Sequence, residues 1–115
     1  MKDDVVYLRH IADCLRRIDK NVAVGLDQFL VSETLQDATL RNLQTMSEAS
    51  QRLSEAIKST RPDVEWSQIS GFRNILVHNY LGIDLELVWT IIERDTPALK
   101  RAVNEMLEST IMDEE

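Results

Sequence analysis

The chain has 115 residues, 43% of them hydrophobic, and a formal charge of −7 at pH 7. That is enough apolar material for one core of ordinary size, read as a single domain over residues 1–115. The acidity argues against a broad basic surface for non-specific nucleic-acid binding, but Arg9, Arg16, Arg17, Arg41, Arg52 and Arg73 could still form a small basic cleft. A lone cysteine, Cys14, leaves no internal disulfide and no cysteine pair for zinc, and fits a reducing compartment.

Two prolines and three glycines among long runs of Leu, Ala, Glu, Arg and Gln favour helix, and no segment alternates with period two. The expected fold is therefore all-α, with four or five helices. The first covers roughly residues 2 to 20, where Val5, Leu8, Ile11 or Ala12, Leu15 and Ile18 form one apolar stripe. His10 and Cys14 belong to this helix and read as structural. Gly25 breaks the pattern, and the Ser32 cluster offers an N-cap for a long second helix to about Lys58. Its near-heptad spacing, through Leu35, Ala38, Leu43 or Asn42, Met46, Ala49, Leu53 and Ala56 or Ile57, suits packing against a partner helix and a second subunit.

Pro62 closes that helix, because it lacks an amide hydrogen and pushes Arg61 out of the α region. A third helix is expected from Trp66 to a left-handed cap at Gly82, followed by a segment from Leu85 to Arg94 capped by Asp84. A last helix is expected to start at Pro97 and to carry Leu99, Val103, Met106 and Leu107, with a frayed acidic tail at about 112–115. Trp66 and Trp89 read as packing residues. Neither a signal core nor an apolar run of membrane-spanning length is found, so a soluble cytoplasmic protein is expected.

Most of the chemistry-bearing side chains sit in one run, Arg73-Asn74-Ile75-Leu76-Val77-His78-Asn79-Tyr80. An Arg can clamp an anionic oxygen and a His can move a proton near neutral pH, a pairing suited to phosphate chemistry. On a helix, Asn74 and His78 are four apart and share a face, so the amide can orient the imidazole. Arg73 and Tyr80 are seven apart, roughly 10 Å along the axis. Arg73 and His78 are five apart, about 140° around the axis, which is awkward for joint action within one subunit. A two-fold dimer would relieve the problem by bringing both arginines and both histidines into one cleft. His78 could equally serve the last carbonyls of its helix, Arg73 could pair with Glu65, and Tyr80 could be a core residue. No H-x-x-x-H pair supports a metal-dependent hydrolase, and neither a metal nor a cofactor is expected.

Arg, four residues, His, one residue and Tyr resembles the signature of HEPN-domain ribonucleases, in particular the HepT-type toxins of toxin–antitoxin pairs. The segments Gln36 to Leu43, Glu48 to Leu53, Pro62 to Trp66 and Gly82 to Trp89 resemble that family in order and spacing, and the likeness covers roughly residues 5 to 108. The resemblance implies an HEPN-like helical homodimer that cuts RNA without metal, using the 2′-hydroxyl of the RNA as nucleophile. Arg73 and His78 would be catalytic and Asn74 supporting. It also implies a partner, an MNT-type nucleotidyltransferase antitoxin that attaches AMP to Tyr80 and so silences the nuclease. The competing expectation is a non-catalytic helical dimer that binds such a nucleotidyltransferase as scaffold or substrate.

Overall fold

A computed structural model describes residues 2–78, 82 and 84–114, the side chains of 2, 73, 75–78 and 111–114 excepted. Among the described residues the structure is helix joined by short turns, with no strand. The described residues form six helices, in the order α1 (Lys2–Val22), α2 (Leu26–Val31), α3 (Glu33–Arg52), α4 (Glu55–Lys58), α5 (Trp66–His78) and α6 (Leu85–Glu114).

The α1 stripe forms the centre of the core. Val5, Leu8, Ile11, Leu15 and Ile18 are buried, each contributing on the order of 1.5–3 kcal/mol by leaving water. Cys14 is buried beside them, and burial pushes its thiol pKa up, with Arg17 opposing and Asp13 reinforcing the shift. A buried thiol of this kind is a poor nucleophile. Leu43, Met46, Ala49 and Leu53 supply the matching stripe from the α3 side.

The helix α3 runs antiparallel to α1, and the two are latched at one end. Asp4 in the first turn of α1 accepts from the backbone N–H of Ser54, just beyond α3, at 2.9 Å and from its hydroxyl at 2.7 Å. Ser54 in turn caps α4, accepting from Ile57 N at 3.2 Å. The long helix expected to reach Lys58 therefore ends at Arg52, because the Asp4 carboxylate, from the first turn of α1, captures the backbone N–H of Ser54 there. At the opposite end, Ser32 caps α3 as expected, its hydroxyl accepting from Leu35 N at 3.2 Å.

The 30-residue α6 sets the shape of the molecule. Its length of about 45 Å at 1.5 Å per residue matches the longest dimension, 47 Å. It was expected as two helices, but it passes through Pro97 and continues to Glu114, into the expected tail. Pro97 and Glu93 are exposed, so water can serve the Glu93 carbonyl that lacks an amide partner four residues on. Buried Leu99, Ala102, Val103 and Met106 hold the segment beyond it. Asp84 caps α6 as expected, accepting from Leu87 N at 3.1 Å. The short α2, not foreseen, docks Phe29 against Trp89 of α6 with ring centroids 5.3 Å apart.

Candidate functional site

The run singled out by the sequence lies in the second half of α5 and just after it. How α5 is held therefore decides where that run stands. Its start is fixed by Trp66, whose indole N–H is shared between the carbonyls of Lys58 and Arg61, each at 3.1 Å. Arg61 braces the same corner, donating to Asp63 at 2.9 and 2.8 Å and to Glu105 of α6 at 2.6 Å. The bonds from Arg61 hold the Asp63 carboxyl below the usual aspartate range. The inner face of α5 buries Ile69 and Phe72 in the core.

One turn in, α5 meets α3 through polar groups. The Ser70 carbonyl accepts from Ser47 Oγ at 2.9 Å and from Gln51 Nε2 at 3.2 Å. Ser50 Oγ donates to the Ser47 carbonyl at 2.7 Å and lies 3.4 Å from Ser70 Oγ. Sequence reasoning missed this seam. Its one sequence signal is a pair of serines, Ser47 and Ser50, each directly after a residue of the α3 apolar stripe, Met46 and Ala49.

Past the seam, Asn74 is exposed. His78 takes the position one turn further on the same side of α5, and Arg73 takes a position one turn beyond Ile69 and Ser70. With both residues inside α5, the angular separation of about 140° expected between Arg73 and His78 applies to their backbone positions. Their side chains, and the whole of Tyr80, lie outside the described residues, as does the expected approach of Asn74 to His78. A hollow of about 430 Å³ lined by Lys58, Trp66, Ser67 and Ser70 opens at the other end of the Asn74 face.

The remaining candidates are placed plainly. His10, Arg9 and Arg17 are exposed on α1, and Arg41 and Arg52 are exposed on α3. Arg16 pairs with Asp13 at 3.6 Å, and Lys100 on α6 pairs with Asp19. Trp66 and Trp89 pack, as read from the sequence. Among the described residues no group of three or more His, Cys, Asp or Glu side chains could hold a metal ion, and no helix is long and apolar enough to cross a membrane.

An all-α bundle of this kind, with an Arg and a His on one short helix braced by a longer one, is HEPN-like. The chain belongs to the Ribonuclease HepT-like family, whose model matches residues 11–106. It is 31% identical over 108 residues to a Methanocaldococcus jannaschii protein named "Gamma-glutamylcyclotransferase and putative RNase", covering 93% of this chain and 49% of that one. This chain thus spans about half the length of that relative. It is 30% identical over 95 residues to a Thermococcus cleftensis protein named "Probable ribonuclease HepT", covering 82% of this chain and 86% of the other. A "Putative RNase" of Caldanaerobacter subterraneus is 29% identical over 109 residues, covering 94% of this chain and 97% of its own. No solved structure matches the chain significantly.

Proposed function

We propose that this chain is the ribonuclease toxin of a type VII-like toxin–antitoxin pair. It acts as a homodimer of one-domain subunits, residues 1–115, and cleaves RNA at a composite site made from Arg73 and His78. The reading is carried by the unbroken Arg73, His78 and Tyr80 spacing within a chain of the HepT-like family.

In this mechanism the 2′-hydroxyl of the RNA attacks the adjacent phosphorus. The new bond is O2′–P and the broken bond is P–O5′, giving a 2′,3′-cyclic phosphate and a free 5′-hydroxyl. His78 handles the proton taken from the 2′-hydroxyl or given to the leaving oxygen, and Arg73 stabilises charge on the phosphorane-like transition state. Asn74 orients the imidazole. Because the nucleophile belongs to the substrate, the reaction needs no reactive serine or cysteine, and no metal to generate a hydroxide.

Tyr80 accepts AMP from ATP through a cognate MNT-type nucleotidyltransferase: its phenol oxygen, losing its proton, bonds to the α-phosphorus, the bond from that phosphorus to the β-phosphate oxygen breaks, and pyrophosphate leaves. The phosphodiester adds bulk and negative charge two residues from His78, which repels the RNA phosphate. The test of the whole reading is incubation of the purified protein with RNA in the presence of a chelator. Fragments ending in 2′,3′-cyclic phosphate or 3′-phosphate are expected, and RNA left intact contradicts it.

A further inference from the structure

Two α3 side chains converge on one backbone atom of α5. The Ser70 carbonyl accepts from Ser47 Oγ and Gln51 Nε2, and the α-helical ladder of α5 aims the Asn74 N–H at the same oxygen. Ser47 and Ser50 are completely buried. Alanine would fill such positions without the cost of desolvating a hydroxyl, so the serines need a directional reason to be there. Apolar contacts tolerate small slides and rotations between helices, whereas hydrogen bonds to a single carbonyl do not. The last atom so fixed stands one turn before Asn74.

We propose that Ser47 and Gln51 are positioning residues for RNA cleavage: their bonds to the Ser70 carbonyl set the rotation and height of α5 on α3. They thereby set where Arg73 and His78 stand. The inference rests on the ribonuclease reading above for its catalytic part. Its leverage is geometric. His78 lies eight residues beyond Ser70, roughly 12 Å along the axis, so a tilt of about 5° at the seam moves it by roughly 1 Å. A misplacement of about 1 Å can cost as much as a hundredfold in rate.

Gln51→Met keeps the length of the side chain and removes the donor at an exposed position, so folding is not at stake. Ser47→Ala removes the buried donor. Each variant is made in the full chain and measured for kcat and KM on RNA, for melting temperature, and for amide exchange in residues 71–78. For Gln51→Met we expect an unchanged melting temperature, kcat lower by about tenfold, KM within about twofold, and faster exchange confined to 71–78. Gln51→Lys, which returns an N–H donor, should recover kcat. Wild-type kcat and unchanged exchange in Gln51→Met and Ser47→Ala would overturn the proposal, as would a loss of kcat that follows melting temperature alone. Failure of the wild type to cleave RNA would instead overturn the ribonuclease reading and the catalytic half of this one. Exchange in 71–78 would then still decide whether Ser47 and Gln51 hold α5.

Discussion

Asp4 and Ser54, fifty residues apart in the chain, form a two-bond latch: the Asp4 carboxylate accepts from both the backbone N–H and the hydroxyl of Ser54. The latch joins the first turn of α1 to the junction of α3 and α4. Its groups belong to α1 and to the start of α4 and not to the Arg73–Tyr80 run, so its worth is to stability.

Asp4→Ala leaves the N–H and hydroxyl of Ser54 without that acceptor in a mostly buried place. The expected cost is about 1–3 kcal/mol in urea unfolding, the usual scale for orphaning buried donors. Asp4 is only 4% exposed, so water reaches the gap poorly. A variant as stable as the wild type would show that the junction rearranges to find another acceptor.

The latch also explains what was and was not legible beforehand. The α1 stripe and the Ser32 and Asp84 caps rest on local patterns, and these were readable. The end of α3 was not: Leu53 continues the apolar period, and the signal that stops the helix is Asp4, far away in sequence. Pro97 misled for the opposite reason. Its local rule predicts a boundary, but exposure of Glu93 and burial of Leu99, Ala102, Val103 and Met106 let α6 continue. At the candidate site the signature spacing could be read directly, whereas the seam to Ser70 depends on which faces of α3 and α5 meet. No period in either helix alone reports that.

The Arg61 brace should make stability fall at low pH. The Asp63 pKa is lowered in the folded chain, chiefly by its hydrogen bond from Arg61. A depressed carboxylate contributes stability that is fully present above its unfolded value, about 3.9, and is lost as pH falls through the folded value. Comparison of the wild type with Asp63→Asn by thermal melts should show the wild type ahead at pH 7, with the gap closing below about pH 4. Both partners are solvent-accessible, so the gap should also shrink in high salt. A gap that stays constant from pH 7 to pH 2 would remove Asp63 ionisation from the account.

Tyr80→Phe keeps the ring and removes only the hydroxyl that would accept AMP. With a cognate nucleotidyltransferase, ATP and Mg²⁺, the wild type should gain mass in AMP steps on the peptide containing Tyr80 and lose ribonuclease activity. The variant should gain none there and stay active. Equal silencing of the variant, with AMP found elsewhere, would move the switch to another residue.

The proposed site is shared between two subunits, so mixing of complementary subunits should restore it. Arg73→Ala and His78→Ala should each lower RNA cleavage in chelator by about two orders of magnitude or more, the scale for losing a charge-stabilising donor or a proton-transfer group. Unfolded together and refolded as a mixture, the two inactive proteins should form heterodimers in which one cleft pairs an intact Arg73 with an intact His78 from the other subunit. Statistical pairing makes half the dimers mixed, and the shared cleft of each keeps one intact Arg73–His78 pair of two, so roughly a quarter of wild-type activity should return. A mixture as inactive as its parents, from material shown to contain heterodimers, would place Arg73 and His78 in the same subunit's site or remove them from the chemistry altogether.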